Sequence, residues 1–187
     1  MTSTQVHGWS DDLRSALVAL GPRLRRFAYG LTGSPEEADD LVQSAYERAL
    51  TRSDQWQTGT RLDSWMYRIV QTIWLNRLKS QNLHKRHLTE LSANMEPAYD
   101  GHGRIESQLT LERIREFVWQ MPEEQRVVLL LVAVEGLSYK EASDVIGVPI
   151  GTITSRLGRA RIAIRDFMTE TSEVSVEPEV TGNHESN

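Results

Sequence analysis

The sequence predicts an all-α protein built as two small helical domains joined by a flexible linker, the C-terminal one a helix-turn-helix. Three observations carry this expectation. Apolar residues recur at helical spacing through most of the 187 residues. That periodicity is lost over residues 92–105, where Pro97, Gly101 and Gly103 appear. Beyond the gap, two short helical segments flank a glycine-proline turn, and arginines crowd the second of them. The domains expected are therefore 10–91 and 106–168, with 92–105 as linker and 169–187 as an acidic tail too poor in apolar residues to fold alone.

In the first domain, Leu13, Ala16, Leu17 and Leu20 begin a helix that Gly21-Pro22 interrupts; Leu24, Phe27, Ala28 and Leu31 resume the stripe, and Gly33 closes it. Ser34-Pro35-Glu36-Glu37 is a compact helix start, with serine as cap, proline at the first position and glutamate to complete a capping box. The helix it opens has an apolar face of Ala38, Leu41, Val42, Ala45, Tyr46, Ala49 and Leu50, and an acidic face of Glu36, Asp39, Asp40, Gln43 and Glu47. Such a stripe is either a solvated face or a dock for a basic partner. Residues 52–62 read as an ordered, turn-rich loop, and a long helix follows over 63–88, burying Trp65, Met66, Ile69, Ile73 and Leu78. On it Trp65, Tyr67 and Trp74 interleave with Arg68, Arg77 and Lys79, the composition of a single-strand reader in which aromatics stack on bases and cations follow the backbone. The competing reading makes most of these aromatics core, Trp65 first among them. His84 and His87, spaced i, i+3 without a third ligand nearby, read as the end of a basic helix, so neither metal nor cofactor is expected.

In the second domain, Leu109, Ile114, Phe117, Val118 and Met121 mark one helix. Pro122 opens another that packs Val127, Leu130, Leu131 and Val134 and ends at Gly136. Ser138 and Glu141 form a capping box, Ala142, Val145 and Ile146 make the apolar stripe of the helix it starts, Gly147 ends that helix in a left-handed conformation, and Pro149 restarts the chain. In the last helix Ile153, Leu157, Ala160 and Ile164 face inward, leaving Thr152, Ser155, Arg156 and Arg159 outward, where an arginine fork matches guanine O6 and N7 in a major groove.

Charge and composition narrow the function. The net charge of −5 argues against indiscriminate nucleic-acid binding, yet five glutamates of the tail, Glu170, Glu173, Glu177, Glu179 and Glu185, account for that sum. What remains holds two basic patches, Arg61, Arg68, Arg77, Lys79, Lys85 and Arg86 against the single acid Asp63, and Arg156 to Arg165. Without cysteine there is neither disulfide nor thiolate zinc site. The longest apolar run, 127–134, falls far short of the roughly 20 residues a bilayer requires, and the first ten residues lack a secretory leader, so a cytoplasmic protein without membrane contact is expected. There is no glycine-rich phosphate loop, His-Glu-x-x-His run or cysteine nucleophile, which points away from an enzyme.

Taken together, Met121-Pro122 with Arg126, Glu135-Gly136-Leu137-Ser138-Tyr139, Gly151-Thr152, Ser155-Arg156 and Arg159-Ala160-Arg161 resemble the second domain of bacterial RNA polymerase sigma factors of the extracytoplasmic-function (ECF) type. Ala38-Asp39-Asp40-Leu41-Val42-Gln43 is similar to the polymerase-docking helix of that family, and Asp63-Ser64-Trp65-Met66-Tyr67-Arg68-Ile69 to its promoter-melting helix. Order and spacing agree over residues 13–167, and the conjunction is far more specific than any single motif.

The resemblance implies a non-catalytic specificity subunit that brings RNA polymerase to promoters and helps to open them. It implies that Asp39, Asp40, Gln43 and Glu47 dock on the beta-prime coiled coil of core polymerase, with the beta flap as a second contact. It implies that the loop holding Gln55, Trp56, Thr58 and Arg61 captures a base flipped from the minus-10 element, while Arg68, Thr72, Asn76 and Lys79 grip the opened strand. Thr152, Thr154, Ser155, Arg156 and Arg159 would read the minus-35 duplex, and an anti-sigma factor would regulate the whole. Thr72 stands where many members carry asparagine, and Thr154 and Gly158 where larger or basic side chains are frequent; these positions govern which promoter is read. The residues alone also fit an ordinary helix-turn-helix regulator whose N-terminal half senses a ligand or phosphate.

Overall fold

The computed structural model describes residues 11–52, 55, 56, 60–88 and 106–174. Every regular element among them is helical: α1 (Asp11–Ala19), α2 (Gly21–Thr32), α3 (Pro35–Thr51), α4 (Leu62–Leu88), α5 (Glu106–Gln120), α6 (Glu123–Leu129), a π-helical turn (Leu130–Val134), α7 (Tyr139–Ile146) and α8 (Ile150–Val174). The linker expected over 92–105 and the end of the acidic tail lie outside the described residues.

Local chemistry explains the boundaries. Gly33 sits at φ 77°, where a side chain would be strained, and its N–H closes α2 onto the Tyr29 carbonyl. Ser34 caps α3 by accepting from the Glu37 N–H at 3.3 Å, but its hydroxyl donates to Glu36, so the acid that meets the cap is Glu36. At α7 the capping box is complete: the Ser138 hydroxyl accepts the Glu141 N–H, and Glu141 accepts the Ser138 N–H at 2.7 Å.

The first half folds α2, α3 and α4 around Leu24, Phe27, Leu31, Leu41, Met66, Tyr67 and Val70, all essentially inaccessible. Each such side chain contributes about 1.5–3 kcal/mol by leaving water, and Phe27 meets Tyr67 edge to face at 5.1 Å. Leu50, assigned by spacing to the α3 stripe, is exposed on its last turn. In the second half α8 is embraced by α6, α7 and α5, with Ile153, Leu157 and Ala160 buried and Phe117 stacked on Phe167 at 4.4 Å.

The end of α6 departs from expectation. There the Glu135 N–H reaches back five residues to the Leu130 carbonyl at 2.9 Å, a π-helical bond. A turn of this kind holds more residues than an α turn, so the inward stripe that 3.6-residue spacing projects onto Val134 passes to its neighbour. Val134 is exposed and Glu135 is buried.

The burial of Glu135 decides how the halves meet. Its carboxylate accepts from Arg26 at 2.8 and 3.0 Å, from Arg23 at 3.3 Å and from the Tyr67 hydroxyl, and Arg23 also donates to its backbone carbonyl at 3.1 Å. Burial, then its hydrogen bond to Glu135, raises the Tyr67 phenol far above its ordinary pKa, so it stays a donor. Beside this centre Leu130 lies over Gly30, where a Cβ would stand 2.6 Å from the leucine methyl, and Tyr29 meets Trp119 edge to face. Asp63 joins Arg61 and Arg23, and Arg61 continues to Glu141 on α7. The halves are thus packed together, in place of the unfixed placement that a long linker suggests.

Two outcomes follow from these contacts. Ser138→Ala removes the α7 cap and is expected to lower unfolding stability by about 1 kcal/mol, read from urea denaturation. Burial works to raise the Asp63 pKa, but hydrogen bonds from Arg61 and the Ser64 N–H outweigh it, and the net value lies below the ordinary one. Glu141 is also lowered, first by the Ser138 N–H. A depressed folded-state pKa means stability that is complete above about pH 4 and is lost as pH falls through the folded values. Thermal midpoints measured from pH 6 downward should drop in that acid window, and Asp63→Asn should flatten the drop.

Candidate nucleic-acid interface

On α8 the inward stripe turns the opposite side to solvent. Pro149 supplies the first carbonyl, accepting from the Thr152 and Ile153 N–H groups at 2.9 and 3.3 Å. Thr154, Ser155 and Arg159 are exposed and Thr152 is half-buried. The Thr154 and Ser155 hydroxyls donate to the Ile150 and Thr152 carbonyls, which leaves their lone pairs facing outward. Arg156 is less free than its spacing suggests: its side chain is 17% exposed and donates to Glu124 at 2.5 Å. A base edge has to displace that carboxylate.

On the first half, Gln55 is exposed and its N–H bonds the Arg52 carbonyl at 3.0 Å, while Trp56 is half-buried with its indole N–H unpaired. Thr58 lies outside the described residues, as do the side chains of His84 and His87. Along α4, Arg68, Asn76 and Lys79 are exposed, and the half-buried Thr72 donates its hydroxyl to the Arg68 carbonyl at 2.7 Å. Two aromatics assigned to the strand-reading face sit elsewhere. Tyr67 and Trp74 are buried, because α4 is covered by α2 and α3 along the side they occupy, and Trp65, the one read as core, is half-exposed. Arg77 turns back to α3, donating to Ser44 at 2.9 Å.

Trp65 and Arg68 wall a recess of about 120 Å³ that also takes in Arg48, Arg52, Gln55 and Thr72. It joins guanidinium groups and an aromatic face, the combination that holds a base and its phosphate. Spacing on α3 alone missed Arg48 and Arg52; the signal was there in two cations at the helix end that leads into the loop.

The acidic face of α3 is exposed at Asp39, Asp40, Gln43 and Glu47. These groups are not equivalent. Asp39 is held by both nitrogens of the Arg25 fork, which lowers its pKa, and Gln43 donates to Glu47 at 3.3 Å.

The α8 face and the α4 face lie on different halves. What the packing does unite is the loop end of α4 with α7. Arg61 pairs with Glu141, Arg68 donates to the Asp144 and Val145 carbonyls, and these groups border a cleft of about 460 Å³ shared with Trp65. Sequence reasoning missed the Arg23–Arg26–Tyr67–Glu135 cluster altogether. Among the described residues no helix is long and apolar enough to cross a membrane, and no group of three metal-ligating side chains converges.

Comparison with known proteins places the chain in a family. A family profile described as Sigma-70, region 4 matches residues 111–164, and one described as the Sigma2 domain of PhyR matches residues 18–71. The chain is 32% identical to the ECF RNA polymerase sigma factor EcfG of Rhodopseudomonas palustris (strain TIE-1) over 81% of this chain and 82% of that one. It is 29% identical to the ECF RNA polymerase sigma factor SigE of Mycolicibacterium smegmatis over 80% of this chain and 59% of the relative. In fold it is similar to the sigma factor RpoE, solved in complex with the anti-sigma factor NepR from Bartonella quintana, with a TM-score of 0.73 and 24% identity over 86% of this chain and 98% of that one. With two helical halves that each match a sigma region, and a relative of this identity aligned over four-fifths of both chains, the protein belongs to the ECF RNA polymerase sigma factors.

Proposed function

We propose that the chain is a promoter-specificity subunit that works inside the cell, without catalysis of its own. It docks on core RNA polymerase through the exposed acidic face of α3, holds the opened minus-10 strand with the loop before α4 and with α4 itself, and reads the minus-35 duplex with α8. In this assignment residues 10–91 form the docking and melting domain, 92–105 the linker and 106–168 the duplex-reading domain. The observation that carries the reading is the segregation of three exposed faces on one chain. Two are basic and lie on separate halves, and the third is the acidic face of α3. An ordinary helix-turn-helix regulator needs only the α8 face. The sigma factor related in fold was solved with an anti-sigma factor, which supports a partner of that class here.

Within the first half, Gln55, Trp56, Thr58 and Arg61 with Arg48, Arg52 and Trp65 form the base-capturing end, and Arg68, Thr72, Asn76 and Lys79 the track for the strand. Asp40 and Glu47 carry most of the docking charge, since Asp39 already has an arginine partner. The test of the reading is reconstitution: purified protein added to core polymerase should produce promoter-dependent transcription, and a conventional regulator would produce none.

Two variants sharpen the assignment. Asp40→Arg with Gln43→Ala should abolish core binding while leaving helicity and melting temperature unchanged, because both residues are exposed. A large drop in melting temperature would place this face inside the fold instead. Arg156→Ala should cost roughly 1–3 kcal/mol on promoter duplex in the polymerase complex and relax specificity in the upstream element. An equal loss on scrambled duplex would make Arg156 a phosphate contact.

A further inference from the structure

We propose that the chain binds a free nucleoside polyphosphate where α3 and α4 meet the loop between them, with the phosphates in the recess of Arg48, Arg52 and Arg68 and the nucleoside in the adjoining cleft beside Trp65. The same recess receives the opened strand in the function proposed above, but the nucleotide site rests on the two cavities alone.

The recess is set apart by uncompensated charge. Arg23, Arg25, Arg26, Arg61, Arg156 and Arg165 each hold a carboxylate. Arg48 and Arg52 hold none among the described residues, and the recess of about 120 Å³ that they line has no acidic side chain in its wall. Arg68, the third cation there, donates to the backbone carbonyls of Asp144 and Val145, neutral acceptors that leave its charge uncancelled. Like charges around so small a space repel one another, so an anion is what the arrangement stabilises. Each guanidinium fork matches the oxygens of one phosphate, and a set of forks suits a chain of phosphates.

The neighbouring cleft of about 460 Å³ has a different character. It shares Gln55, Trp65 and Arg68 with the recess, so the two cavities adjoin. Its charge is balanced, because Arg61 is already held by Asp63 and Glu141, and Asp144 adds a further carboxylate. Another phosphate gains little there, whereas uncharged hydrogen-bonding groups gain more. The Ser64 hydroxyl in its wall is buried without a partner, and the exposed Asp144 carboxylate accepts no hydrogen bond among the described residues. An unpaired buried hydroxyl carries a cost that a ligand group removes, and a carboxylate accepts the N–H groups of a base or the hydroxyls of a ribose. Trp65 supplies a ring on which a base stacks. A cationic chamber joined to a charge-balanced polar one through an aromatic wall is complementary to a molecule with a polyphosphate at one end and a nucleoside at the other. A bare polyphosphate fills only the first chamber, and a nucleoside only the second.

Equilibrium dialysis of the full-length protein without polymerase, at near-physiological salt, tests this with radiolabelled ATP and GTP as probes and AMP and inorganic tripolyphosphate as competitors. Saturable binding to one site is expected, with the triphosphates held on the order of tenfold tighter than AMP. Arg48→Ala and Arg52→Ala, each confirmed helical by circular dichroism, should weaken nucleotide and tripolyphosphate alike by on the order of tenfold. Trp65→Leu and Ser64→Ala should weaken the nucleotides and leave tripolyphosphate unchanged. Arg113→Ala with Arg115→Ala, exposed cations on α5, lowers the charge without touching either cavity and should change nothing. No saturable binding by the unmutated protein would overturn the site, and an equal loss in the α5 variant would reduce it to general attraction between charges. Tripolyphosphate bound as tightly as ATP, with both cleft variants silent, would overturn the nucleoside cleft. Promoter-dependent transcription with core polymerase, measured on the unmutated protein, decides the strand role separately: its absence would remove the sigma-factor reading and leave the dialysis result standing.

Discussion

One buried carboxylate, Glu135, sets the relation between everything else in the molecule. It lies at the end of a π-helical turn, where wider spacing carries it to the inward side, and it finds two arginines and a tyrosine hydroxyl from the opposite half. The sign of its contribution depends on the reference. Removing one partner from a buried pair commonly costs about 3–5 kcal/mol, whereas replacing the whole cluster with well-packed apolar residues is often neutral. Arg23 and Arg26 are also partly exposed, at 36% and 53%, so solvent screens part of the attraction. The cluster is therefore better understood as an orienting device than as a source of stability: it specifies one way for two halves to meet and penalises the others.

That orientation explains how a chain with net charge −5 can present DNA-binding surfaces. Five tail glutamates carry the net charge, α3 displays Asp40 and Glu47, and several other carboxylates are engaged by arginines. Arg25 is taken by Asp39, Arg61 by Asp63 and Glu141, and Arg156 by Glu124. Each cation is held in place with its counter-ion already present, so a phosphate or base exchanges for a carboxylate rather than meeting a bare charge. The net attraction is weak, and geometry rather than long-range field has to supply selectivity. In a specificity subunit this is a useful property, because indiscriminate binding to duplex would compete with promoters.

Most of the local structure was legible in the residues. Helices, the break at Gly21-Pro22, the α7 capping box and the Gly33 and Gly147 caps depend on interactions within a few positions, and their sequence signals read through directly. So did the outward placement of Ser155 and Arg159, which follows from helical period once the buried stripe is known. Tyr67 and Trp74 were harder. Interleaving with arginines described a reading surface equally well, and only the packing of α2 and α3 along α4 assigned them to the core and left Trp65 half-buried at its margin.

What the sequence by itself determined was the all-helical class, the capped helix starts and glycine stops, and the three charged faces, because each is set by spacing along one helix. What only the tertiary structure decided was who partners whom across 40 to 112 positions of chain: Asp63 with Arg23, and Glu135 with Arg23 and Arg26. Helical period cannot foresee the π-helical turn that turns Glu135 inward, nor can it choose among the arginines the one whose fork arrives within hydrogen-bond reach. Those choices are made when the halves pack, since the energy of a buried charge depends on the full three-dimensional surroundings and not on its neighbours in sequence.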